Sequence, residues 1–434
     1  MRRQISLPFR LVRWGAHRWL ASYLKQQKLR CRSAQPKHVL FLVTDHFEPP
    51  KQFGIDKSVD VVRHWCQQYK AACAGQTDSF GTCPRYSWFY RYDNPIDKNL
   101  QLLSEMVYAG YGEVEFHLHH GNDTSESFRT TINSGLSWFN RYGAMLGATP
   151  HPQPQFAYIA GNWALDNARF DASFSGVNDE IGILGEAGCY ADFTFPALGE
   201  RSQPTRVNQT LWVKDDGNAA AFQRSSCLLD GAAANEADLA MIQGPLYVDW
   251  KQGDIEYGAL EAYSGYHTDR IQRWLSAGVC ADQHGEVQII KLHTHGVQSE
   301  KALFENGLSQ LFADLKSNVE AAGGKLHYVT ARECFNIVQG LRDQPGRNPA
   351  ELRGFAVPEP ANSKILADAP YRLSTFSEQK ICVVFDSRPP PEATMSIKGT
   401  GVEKMPIEGL AELELLNPGQ PAERIVSRPS QLAG

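Results

Sequence analysis

From His38 onward the chain alternates short apolar runs with longer stretches whose apolar residues recur at helical spacing. The short runs His38–Thr44, Tyr86–Tyr92, Glu113–His119, Phe156–Ala160, Cys189–Phe195, Val287–His293 and Leu326–Val329 predict strands. Between them the spacing predicts helices over Val59–Ala72, Leu100–Ala109, Ser125–Tyr142, Asn178–Ala187, Thr268–Ala277 and Glu300–Ala322. Strand followed by helix, repeated, is the mark of βα units that build a parallel sheet. The expected fold is therefore α/β: an incomplete, distorted β/α barrel of about seven parallel strands.

Three stretches break the rhythm. Residues 1–36 form a basic prelude in which Phe9, Val12, Ala16, Trp19, Leu20, Tyr23 and Leu24 recur at helical spacing beside Arg10, Arg13, His17 and Lys28. Such an amphipathic helix has two readings: contact with an anionic inner-membrane surface, or packing on the body with a solvated basic face. Within the barrel region, residues 37–342, an insertion near 197–265 reads as loops and hairpin pieces such as RVNQTLWVKDD and PLYVDW, placed to shape access to a site. Residues 343–434 turn rich in Pro, Asn and Gly around KICVVFD, ATMSIKG and LAELELL, and predict a small β appendage with a loose tail.

Composition narrows the class. With 434 residues, 42% of them apolar, the chain can bury a sizeable core. A net charge of −5 argues against general nucleic-acid binding. Nine cysteines without a CxxC pair suggest neither a disulfide framework nor a thiolate zinc site, and a reduced, cytoplasmic setting is expected. Arg10, Arg13 and Arg18 interrupt what a signal peptide would need as an apolar core, and no apolar run is long enough to cross a membrane.

The chemistry is concentrated where strands end. Histidines cluster in VLFLVTDHFEPP, EVEFHLHHGND and VQIIKLHTHG, each the tail of an apolar run. Strand alternation puts Glu113, Glu115, His117 and His119 on one face, and His293 and His295 likewise share a face. Asp45 and His46 follow directly on the first strand. Imidazoles and carboxylates from several strands converge on one ion only where strand ends meet, so the pattern points to a metal-dependent hydrolase.

The order of these motifs resembles the polysaccharide deacetylases, carbohydrate esterases that remove acetyl groups from N-acetylated sugars. Thr44-Asp45-His46 stands where that family has Thr-Phe-Asp-Asp, the run from His117 to Asp123 stands at its His-(Ser/Thr)-x-x-His, and KLHTHG is similar to the strand with its catalytic histidine. IAGNWALDN followed by GVNDEIGILGEAGCYADFTFP looks like the family's intervening turn, helix and strand. The likeness spans roughly residues 38–340 and implies a deacetylase acting on a cell-surface polysaccharide or its precursor, as in uncharacterised bacterial members. The chain departs from the pattern in having His46 for the second Asp, in its histidine spacing, and in lacking an Arg beside Gly161-Asn162-Trp163.

Deacetylation needs an activated water, a base and an acid. A divalent metal, zinc favoured for a nitrogen-rich shell, would be held by His46, His117 and one of His119 and His120. Asp45 is the expected base, and His295 or His293 the acid that protonates the leaving nitrogen, although the HxH spacing also permits one of them as a ligand. Glu48 is a weaker candidate, and Glu113 and Glu115 lie deeper, where carboxylates orient histidines. Trp163 and Asp166 are expected to contact the carbohydrate substrate, with a plain core role for Trp163 equally open. Two other classes stay open: a glycoside hydrolase using Glu113, Glu115 and Asp45, and a catalytically silent sugar-binding or assembly protein.

Overall fold

The computed structural model describes residues 7–30, 36–50, 54–147, 153–228, 238–305, 307–377, 379–385, 387–416 and 425–429. Its centre is an eleven-stranded sheet. In chain order the strands are β1 (His38–Phe47), β2 (Tyr86–Arg91), β3 (Gly112–Leu118), β4 (Phe156–Ala160), β5 (Cys189–Asp192), β6 (Thr210–Val213), β7 (Ser226–Leu228) and β8 (Leu239–Ile242). A separate hairpin, β9 (Tyr247–Asp249) and β10 (Asp254–Glu256), precedes β11 (Val279–Cys280), β12 (Val287–Thr294) and β13 (Lys325–Tyr328). The order across the sheet is β11-β12-β1-β2-β3-β4-β5-β8-β6-β7, with β13 also on β1.

The pairings from β12 through β1, β2, β3, β4 and β5 to β8 are parallel, whereas β6, β7 and β11 add antiparallel ends. The two ends curl toward one another, and the Thr210 hydroxyl on β6 donates to the Cys280 carbonyl on β11 at 3.0 Å. The result is a nearly closed barrel with more strands than the seven expected. Three of the four extra ones, β6, β7 and β8, come from the insertion, and the short β11 precedes β12; the LAMI segment becomes β8 and covers the open edge of β5, with Ala191 opposite Ala240. A four-residue apolar strand leaves too short a pattern to distinguish it from a loop.

Alternation along β1 shows why the runs are apolar throughout. Val39, Phe41 and Val43 face the outer helices, while Leu40 and Leu42 face the barrel interior. A sheet covered on both sides must be apolar on both. The interior is closed at the amino ends of the strands by the helix Ala331–Asp343, whose Cys334, Phe335, Ile337 and Val338 pack on the inward side chains. Thr330 and Glu333 form its capping box. The expected helix Glu300–Ala322 is two, Glu300–Phe304 and Leu308–Ala321.

The basic prelude is also two helices, Leu7–Arg13 and Ala16–Arg30, separated at Gly15, whose φ of 64° is the left-handed conformation that glycine tolerates. Ala16, Trp19 and Tyr23 are buried against Val207, Leu246, Val248 and Ile255 of the insertion. After the barrel, β14 (Ile365–Ala367), β15 (Arg372–Phe376), β16 (Lys380–Val384), β17 (Thr394–Ile397), β18 (Val402–Pro406), β19 (Leu410–Leu416) and β20 (Ile425–Pro429) form two small antiparallel sheets. They share one apolar core, which includes Met395, Val383 and Leu413. The expected tail after Pro429 lies outside the described residues.

Candidate metal centre

At the carboxyl ends of the parallel strands, side chains from β1, β3 and the loops beyond them converge. Glu48 follows β1, and its Oε1 lies 3.1 Å from Nε2 of His117 and 2.9 Å from Nε2 of His119. The two imidazole nitrogens are 3.0 Å apart. One ligand atom from each of Glu48, His117 and His119 lies within 4.8 Å of the others. Two imidazoles and one carboxylate with a side left open are a donor set of catalytic zinc sites.

His117 and Glu48 are fixed from behind. Nδ1 of His117 lies 2.9 Å from the Ile159 carbonyl on β4, which accepts its proton and leaves the Nε2 lone pair directed at the cluster. Asn162 sits 3.3 Å from Nδ1 of His119. The Arg91 guanidinium is 3.4 Å from the other Glu48 oxygen and pairs with Asp93, whose carboxylate also accepts from the His119 amide. Burial acts to raise the Glu48 carboxyl, but hydrogen bonds from His117 and His119 outweigh it and hold it below the ordinary carboxylate range. Burial lowers the basicity of His117.

His46 faces the same interior, with its ring 4.9 Å from His117, 4.7 Å from His295 and 4.6 Å from Trp163. Its Nε2 is buried without a hydrogen-bond partner. A lone polar nitrogen in that position costs stability unless something binds it. Burial, then the charge on His295, holds its proton affinity well below normal.

His295 stands at the rim. Its Nδ1 is 2.8 Å from Glu261, which also accepts from the His295 amide at 3.0 Å. Burial works against protonation, yet the Glu261 hydrogen bond and charge raise the pKa. His293 lies one layer deeper, its Nδ1 unpartnered, with Trp163 at 5.4 Å and Tyr257 at 5.8 Å. Trp163 and Asn162 reach the site from left-handed backbone, φ 58° and 53°, a conformation that costs energy outside glycine.

Three expected residues lie elsewhere. Asp45 shares the face of Val43 and Phe47, opposite His46; Gly296 N donates to its Oδ1 at 2.7 Å and the Tyr86 hydroxyl to its Oδ2 at 2.9 Å. Burial pushes its pKa up to about 8. A Cβ at position 296 would stand 2.0 Å from that carboxyl, so the turn after β12 needs glycine there. His120 turns away from the cluster to Asp123, 2.9 Å away, and stacks on Phe128. Asp166 is buried beneath the insertion, accepting from Ala221 N at 2.6 Å, and burial pushes its pKa up to about 9.

Glu113 and Glu115 lie at the opposite end of the barrel. Arg332 forks onto Glu113 at 2.7 and 3.1 Å, with Thr330 at 2.8 Å. Glu115 accepts from the Tyr190 hydroxyl and from Ala157 N. The pairing of His295 with Glu261 left no sequence signal, because the insertion brings Glu261 in: residues 258–260 run beside β12, with Leu260 N donating to the His293 carbonyl at 2.8 Å. Glu48 did leave one, standing two residues beyond His46 and so on its face.

No known family profile matches the chain, and no curated protein does. Among solved structures it is similar to a protein from Parabacteroides distasonis provisionally named a glycoside hydrolase/deacetylase, at 8% identity and a TM-score of 0.38, over 91% of this chain and 84% of that one.

Proposed function

We propose that the protein is a metal-dependent hydrolase that removes acetyl groups from N-acetylated sugars of a cell-surface polysaccharide or its precursor. The observation that carries this reading is the convergence of Glu48, His117 and His119 at the carboxyl ends of parallel strands, with the buried Nε2 of His46 beside them. These residues fit a divalent ion, zinc by donor type. Such an ion, when bound, lowers the pKa of a water and polarises a carbonyl.

The remaining work falls to the chain. His117 is held in the ligating orientation by the Ile159 carbonyl, and Asn162 packs beside the His119 ring. Glu261 locks the His295 ring through Nδ1, leaving Nε2 to pass a proton to a leaving nitrogen, and a pKa above the usual histidine value keeps that proton in place. Asp45 holds the turn that carries His295 through the Gly296 amide, a positioning role that replaces the expected one of base. Trp163 offers an aromatic face to a sugar ring.

The test is metal titration followed by acetate release from N-acetylated oligosaccharides. The expected outcome is uptake of about one divalent ion per chain, ion-dependent release, and roughly 100-fold slower turnover in Glu261→Gln with metal affinity unchanged. Absence of ion uptake by the wild-type protein would overturn the reading.

A further inference from the structure

Charge along the chain is divided in an unusual way. Residues 1–37 contain ten of the 43 basic residues and none of the 48 acidic ones. Part of that charge is used inward: Arg10 pairs with Asp254, and Arg18 donates to the Glu200 carbonyl. Arg13, His17 and Lys25 are exposed. On the same helices Phe9 is 61% exposed, Val12 78% and Leu24 42%. In the second helix His17, Ala21, Leu24 and Lys25 follow one another at the spacing of a single outward face.

We infer that the outward face of the helix pair Leu7–Arg30 docks on an anionic lipid surface, with Phe9 and Val12 entering the interface and Arg13, His17 and Lys25 meeting headgroups. Two exposed apolar side chains on a segment without a single carboxylate match a surface that is apolar beneath and negative above. A nucleic acid or other acidic polymer would supply the charge but little apolar surface to cover Phe9 and Val12. Among the described residues no helix is long and apolar enough to cross a membrane, so this contact is peripheral. The inner face fixes the segment to the body: Trp19 and Tyr23 are fully buried, Val248 N donates to the Tyr23 hydroxyl at 2.9 Å, and the Trp14 ring lies 4.9 Å from Tyr257.

Because that inner face belongs to a core, deletion of the segment is a poor probe, and substitution of its outward residues is the better one. The full-length chain is sedimented with vesicles of phosphatidylcholine alone or with phosphatidylglycerol, at low and high salt, alongside Phe9→Glu/Val12→Glu and Arg13→Glu/Lys25→Glu variants. Binding to the anionic vesicles at least tenfold tighter than to neutral ones is expected, weakened by salt and at least tenfold by either pair of substitutions, with unchanged melting temperature. Absence of binding to anionic vesicles at low salt overturns the inference. So does undiminished binding of Phe9→Glu/Val12→Glu, which would mean that charge alone recruits an acidic polymer or protein.

Discussion

The inward face of β3 and the residue just past its end carry four polar side chains in a row, and the two halves of that row behave differently. In the lower half the Glu113 charge is matched by the Arg332 fork and Thr330, while Glu115, whose pKa burial pushes up to about 8, has its hydrogen bonds made by Tyr190 and Ala157. In the upper half His117 and His119 turn their Nε2 atoms toward each other and toward Glu48, with the unpartnered Nε2 of His46 nearby. Both halves are buried or nearly so, and both are built of titratable groups. A buried polar cluster whose bonds are all made holds the fold; one whose lone pairs converge on each other is built for something that binds.

The largest expected effect breaks the lower half. Arg332→Met strands the Glu113 carboxylate, and removing one partner of such a buried pair costs about 3–5 kcal/mol. Urea unfolding should show that loss while metal affinity per folded molecule stays within about twofold of wild type. A shift in metal affinity comparable to the stability loss would mean the two halves are one unit.

Next comes the upper half. His117→Ala should weaken metal binding by more than about 100-fold, beyond what the loss of an outer partner costs. Calorimetric titration checks this. Because the metal-free cluster crowds donors against one another, the apo protein's unfolding midpoint should fall less than in Arg332→Met.

The smallest effect concerns histidines at the two ends of β1. His46 at the top is unpartnered, whereas His38 at the bottom lies 2.9 Å from Nε2 of His327. Burial, followed by the charges of His38 and Arg353, pulls the His327 pKa down to about 3 from an ordinary 6.5. The unfolded chain therefore takes up a proton between those values that the folded chain refuses. Stability is full above about pH 6.5 and declines as pH falls toward 3. His327→Gln should flatten that part of the stability profile in pH-dependent urea unfolding, and an unchanged slope would show that His327 is not its source.

Much of this was legible in the chain. Alternation in EVEFHLHH put Glu113, Glu115, His117 and His119 on one face; the first three share the inward face of β3, and His119, one residue past its end, still meets His117 and Glu48. The same reasoning separates Asp45 from His46, since adjacent strand residues point to opposite sides, and the structure gives the Asp45 carboxyl to Gly296 and Tyr86. The expected apolar stripe from Phe9 to Leu24 was split by Gly15: a single left-handed residue sent Trp19 and Tyr23 into the core and left Phe9 and Val12 outside. His120 is one residue past His119 and on the other side of the chain, where Asp123 and Phe128 take it.

The sequence by itself determined the seven longer strands of the barrel, most of the helices between them and the alternation of side chains along each strand, because these follow from backbone periodicities that act within a few residues. Only the tertiary structure decided that β8 would complete the edge of β5, that Glu261 would cross from the insertion to His295, and that Glu48 would meet His117 and His119 across two strands. Those meetings depend on which strands are neighbours and on how far the sheet curls before it closes. Both are set by packing of the whole barrel on its inner helix and outer layer, and no local pattern carries that information.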